Sequence, residues 1–138
     1  MEKIIEVCSL SEHRIAKGFL PPVPDSTTLQ FQFDVRILPD SIGSFPNLPG
    51  TNPAVREFVR NQPITQILLL QIKVLLCVCL DAFRTSDQFT VLRLCFLCAG
   101  GFQRSVAFAE EMAAWLKEQP GGFPVKIRHF RLEQDAQR

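Results

Sequence analysis

Residues 98–105 read Cys-Ala-Gly-Gly-Phe-Gln-Arg-Ser, and their types and spacing are suited to holding an anion. An apolar run, 89–97, precedes them and a helical pattern follows, so they span a strand-to-helix turn. The first N–H groups of a helix lack internal partners, and the helix dipole adds to their pull on negative charge. Gly100 and Gly101 let the backbone approach a ligand closely. Arg104 can grip two phosphate oxygens at once, and Ser105 can donate from the first helical turn. A phosphate site is therefore expected over Cys98, Ala99, Gly100, Gly101, Gln103, Arg104 and Ser105. Asp34 and Arg36, two apart on a predicted strand, share one face and form either an ion pair or a ligand clamp. Lys126, Arg128, His129 and Arg131, with Arg138 beyond them, form a small basic cluster. It reads as an RNA or ligand contact, or as a solvated edge strand. The G-x-x-x-x-G-K-[ST] pattern of an ATP-binding loop does not occur in the chain.

The spacing Cys98-x5-Arg104-Ser105 also resembles the loop of cysteine-dependent phosphatases, in which the thiolate attacks phosphorus and the arginine holds the oxygens. Those enzymes usually carry a His before the Cys, where this chain has Leu97. They also need an acid for the leaving group, for which Asp40 and Asp87 are candidates. The reading therefore favours binding over catalysis, with Cys98 the nucleophile if the domain is an enzyme. Cys77-x-Cys79 and Cys95-x-x-Cys98 have the look of metal-ligand pairs, but their neighbours are apolar, so all four read as small buried hydrophobes. Neither a metal nor a cofactor is expected.

These residues must be positioned by elements that the rest of the chain supplies. A chain of 138 residues, 46% hydrophobic, suits one domain with its own core. A net charge of +1 gives no broad field for nucleic acid, so an anion site must be local. Five cysteines, an odd number in apolar settings, point to reduced thiols and a cytoplasmic protein, and no signal peptide is visible at the start. Strands are predicted over 3–10, 29–37, 89–97 and 124–132, with an irregular stretch over 11–28. Helices are predicted from Pro53 to Val59, over 64–85 and over 103–119, the last with Val106, Ala109, Met112, Ala113 and Leu116 on one face. Residues 39–53 form a loop directly after a strand, where α/β folds place ligand contacts. Segment 64–82 is nearly long enough to span a bilayer, but Lys73 lies at its centre. It reads as a buried helix, apolar on more than one face and able to cover a subunit interface, so no membrane partner is expected and a homo-oligomer through 64–85 is. The expected fold is a single α/β layered domain over 1–138, a mixed central sheet flanked by helices, with an irregular tail from about 133.

The pieces in this order resemble the C-terminal domain of the RapZ/YvcJ family, the bacterial RNase adapter proteins. The matching segments are FDVRILPD (33–40), residues 52–58, CAGGFQRSVAFAEEMA (98–113) and RHFRLE (128–133). The resemblance implies a binding domain that senses an amino-sugar phosphate, glucosamine-6-phosphate, contacts small regulatory RNAs and mediates oligomerisation. It implies a phosphate site at 98–105 flanked by Asp34 and Arg36, and a stand-alone copy without the family's nucleotide-binding domain. The chain departs from the pattern at Gln103, where the family has His, and at Asp40-Ser41-Ile42, where it has Asn-Pro and a ring residue. The family's basic tail is replaced by Leu-Glu-Gln-Asp-Ala-Gln-Arg, which leaves few cations for an RNA backbone.

Overall fold

The computed structural model describes residues 2–137. Its centre is a four-stranded sheet in the order β2-β3-β1-β4, built from β1 (Ile4–Ser11), β2 (Thr28–Asp34), β3 (Val91–Cys98) and β4 (Val125–His129). Every pairing is parallel, so the sheet is uniform rather than mixed. The near-continuous apolar runs of β1 and β3 account for this, since central parallel strands are covered on both faces.

The register sets the two faces. Ile5 and Val7 lie beside Leu92 and Leu94, and this face carries the main core under α2 (Pro53–Arg60), α3 (Pro63–Thr85) and α4 (Arg104–Lys117). Cys8, Leu10, Cys95 and Leu97 point the other way and meet Ile15 of α1 (Glu12–Ala16) and Phe130 of α5 (Phe130–Ala136). The connection from β1 leads to one edge of the sheet and the connection from β3 to the other. β1 and β3 are neighbours, so a crevice opens beyond their carboxyl ends, which is where open α/β sheets bind ligands.

Several expectations change in detail. Helix α1 forms inside the stretch read as irregular, because the Ser11 hydroxyl accepts the Arg14 N–H and caps it. Strand β2 stops at Asp34, whose carboxylate takes the Arg36 N–H at 3.0 Å and turns the chain, leaving Ile37 65% exposed instead of in the core. β4 ends at His129, and the segment expected to finish it and then become irregular is helical through Ala136. Helix α3 is not buried on all sides. Leu69, Ile72, Leu76, Leu80 and Phe83 face the core, whereas Ile67, Leu70, Val74 and Val78 are exposed, and so is Cys77. By length and composition α3 is able to cross a membrane, with 28% of its apolar window buried inside the domain.

Candidate functional site

The 98–105 turn sits at the crevice, and its own side chains fix its shape. The Cys98 thiol donates to Ser105 Oγ at 3.1 Å, and its sulfur accepts the N–H groups of Gly101 at 3.2 Å and Ser105 at 3.4 Å. Cys98 is 2% exposed, so the sulfur forms the inner wall of the loop. Gly101 has φ +62 and lies against β1, where an added Cβ would sit 2.6 Å from Ser11 Cβ. No larger residue fits this approach. Cys95 and Cys98 are three apart on β3 and fall on opposite faces of the sheet, so they cannot grip one ion together.

Gln103 holds the opposite wall. Its amide nitrogen donates to the carbonyls of Phe45 at 2.6 Å and Leu48 at 2.7 Å, and its Oε1 accepts from the buried Ser41 hydroxyl at 2.6 Å. The Gly50 N–H adds a bond to the Phe102 carbonyl at 2.8 Å. Loop 39–50 is thereby clamped over the turn. The Gln103 amide has its partners inside the protein, and the residue also lines the cleft beside the turn.

The resulting cleft has a volume of about 250 Å3. Cys98, Ala99, Gly100 and Arg104 form one side, with Asp40 and Ile42 from the clamped loop opposite. His13 from α1 and Arg131 from α5 complete it, so segments following all four strands contribute. Arg104 Nη1 donates to the carbonyls of Arg36 at 3.0 Å and Leu38 at 3.1 Å, which leaves its Nε and Nη2 without an acceptor among the described residues. Arg131 Nη1 donates to the Gly100 carbonyl at 3.0 Å, and its guanidinium lies 4.5 Å from the centre of the Phe102 ring. Arg104, with no carboxylate partner among the described residues, and Arg131, partly offset by Asp135, face the Asp40 carboxylate and make the cleft attractive to a small anion.

The other predicted residues lie elsewhere. Asp34 and Arg36 form an ion pair at 2.5 Å, roughly half exposed, outside the cleft wall. The Arg36 side chain, then its backbone N–H, holds the Asp34 carboxyl below its ordinary range. Ser105 is buried behind Cys98. His129 is partly buried against α4, with Nδ1 2.7 Å from Ser9 Oγ and Nε2 3.4 Å from Glu110 Oε1. Arg128 pairs with Glu133 at 2.9 Å and Arg131 with Asp135 at 3.3 Å, so carboxylates of α5 offset the basic cluster. Lys126 is exposed on β4, and Arg138 lies outside the described residues. His13 and Phe102 are the cleft residues that sequence reasoning passed over. The signal for His13 was Ser11-Glu12, an N-cap followed by an acidic first turn.

Fold and site together define a small α/β domain with an anion-suited cleft at the carboxyl end of a parallel sheet. The sequence profile of the RapZ C-terminal domain matches residues 15–133. A nucleotide-binding protein of Koribacter versatilis is 34% identical over 83% of this chain and 36% of its own length. One from Xanthomonas axonopodis pv. citri is 36% identical over 76% of this chain and 36% of its own length. One from Anaeromyxobacter is 33% identical over 88% of this chain and 40% of its own length. The chain belongs to the RapZ C-terminal domain family. It spans about a third of the length of these curated relatives.

Proposed function

We propose that the domain is a non-catalytic sensor that binds a small phosphorylated metabolite in the 98–105 cleft. One observation carries this reading: the strand-to-helix turn and the guanidiniums of Arg104 and Arg131 converge on one cleft at the switch point of the sheet. The relatives' description as nucleotide-binding proteins fits a phosphorylated ligand. The amino-sugar phosphate glucosamine-6-phosphate is the first ligand to try, in the cytoplasm that five free cysteines suit. Thermal and chemical denaturation with inorganic phosphate, glucosamine-6-phosphate, other sugar phosphates and nucleoside monophosphates tests it. A true ligand at a hundred times its Kd adds about 2.7 kcal/mol of stability, and Arg104→Ala removes most of that gain. No stabilisation by any of these compounds defeats the reading.

A second reading, hydrolysis of a phosphomonoester, is favoured by Asp40 lining the same cleft as Cys98 and Arg104. In that chemistry the Cys98 thiolate attacks phosphorus and the ester P–O bond breaks. The Asp40 carboxyl protonates the departing oxygen, and water then cleaves the P–S bond to release orthophosphate. Turnover of an aryl phosphate by the wild type that disappears in Cys98→Ser supports it, and turnover that survives the change excludes Cys98. An RNA-adapter role has less support, because Arg128 and Arg131 are already paired. For a partner we propose a second copy of the chain, seated on the exposed apolar stripe of α3.

A further inference from the structure

A second and larger cleft, about 330 Å3, lies on the sheet face under α1 and α5. Its volume falls at the lower end of the range for small-molecule pockets. Leu10, Ile15 and Phe130 line it, with Leu20, Pro21 and Pro22 from the connection to β2. Phe19 and Leu20 stand 54% and 69% exposed beside it, more apolar surface than a short connecting loop needs to show. Arg14, Arg128 and Arg131 also line this cleft. Among the described residues their guanidiniums pair with two carboxylates, Glu133 and Asp135, so the rim is net positive. The Arg128–Glu133 pair is 41% exposed on both sides and gives way readily to a competing anion.

Two residues of this cleft also hold the phosphate loop. The Ser11 hydroxyl donates to the Ala99 carbonyl at 3.3 Å, and Arg131 Nη1 donates to the Gly100 carbonyl at 3.0 Å. Arg131 lines both clefts, so the two adjoin at that side chain.

We propose that this cleft is a second ligand site, for a small anion with an apolar body, and that filling it changes the 98–105 loop through Ser11 and Arg131. The apolar floor takes the body of the ligand, and the arginine rim takes its charge. Moving Arg131 toward such a ligand loosens its hold on Gly100, and by reciprocity a ligand on the loop alters affinity in the second cleft. This second half rests on the phosphate reading only where phosphate is used as the probe.

The aryl sulfonate 8-anilinonaphthalene-1-sulfonate has the required chemistry and a fluorescent readout. One saturable site per chain is expected, weakened at least about tenfold by Leu20→Glu, an exposed position that leaves the core intact. Ala54→Glu, at an exposed position of α2 that lines neither cleft, leaves the affinity unchanged. The absence of saturable binding, or loss in Ala54→Glu with none in Leu20→Glu, overturns the site. Amide exchange in residues 98–105 is expected to change when the sulfonate binds wild type and to stay constant in Leu20→Glu. Binding without a change in that loop overturns the coupling. Failure of inorganic phosphate, the sugar phosphates and the nucleoside monophosphates alike to bind, with these results intact, defeats the phosphate reading alone.

Discussion

Gln103 lines the cleft and also holds the loop that closes it. It is 4% exposed and serves three partners, the carbonyls of Phe45 and Leu48 and the Ser41 hydroxyl. Gln103→Ala leaves the buried Ser41 hydroxyl and two part-buried carbonyls without this partner and is expected to cost about 2 kcal/mol in urea denaturation. A cost under about 1 kcal/mol would show that water replaces the amide there. A second residue-scale prediction concerns Glu110. The hydrogen bond to His129, ahead of opposing desolvation, holds its carboxyl below the ordinary value of 4.5. The folded value is the lower one, so the stabilisation is complete above pH 4.5 and is lost as pH falls through the depressed value. Stability measured from about pH 6 down to about pH 3 should therefore fall less steeply in Glu110→Gln than in wild type. Equal slopes would mean that the His129 contact does not favour the carboxylate.

At the level of elements, the strand-to-helix turn depends on close approach. Gly101 combines φ +62 with Ser11 atoms 2.6–2.8 Å from the place of a Cβ. Gly50 lies so near the first turn of α4 that a Cβ there would collide with the Gln103 carbonyl. Gly101→Ala and Gly50→Ala are each expected to destabilise by about 2 kcal/mol or more. Gly43, in the same loop as Gly50, has nothing within 4 Å, and Gly43→Ala serves as the control with an effect of about 0.5 kcal/mol or less. If all three variants denature alike, close packing at the turn is not what fixes the loop. The helices α2, α3 and α4 were legible because Pro53 and Pro63 open two of them and α4 carries its stripe at helical spacing. The end of β2 was not, because period-2 alternation continues to Ile37 while a side-chain turn at Asp34 ends the strand. That competition between a side chain and the ladder is settled by geometry that a hydrophobic pattern does not record.

At the scale of the molecule, the exposed side of α3 is the surface on which the proposed self-association rests. Ile67, Leu70, Val74 and Val78 recur at spacings of three and four, as a helix-packing seam does. Light scattering is expected to show a self-associated species that Val74→Glu converts to monomer. Val74 is 59% exposed, so the change should alter the stability of the fold by about 0.5 kcal/mol or less. A wild type that is monomeric at all concentrations removes the second copy as partner.

The sequence by itself determined the layered α/β class, the helices that cover the main core, and the loop 98–105 as the place to look. These depend on local periodicity and on a turn whose residues are contiguous. Tertiary structure decided that Arg104 and Arg131 share a cleft with His13 and Asp40, and that Asp34, Arg36, Arg128 and His129 do not line it. It also decided that Gln103 clamps a loop some 60 residues earlier in the chain. Such contacts depend on strand order, and the order β2-β3-β1-β4 brings the carboxyl ends of β1 and β3 side by side although they lie 87 residues apart in register. No local pattern encodes that neighbourhood, because it is the burial of both sheet faces at once that selects it.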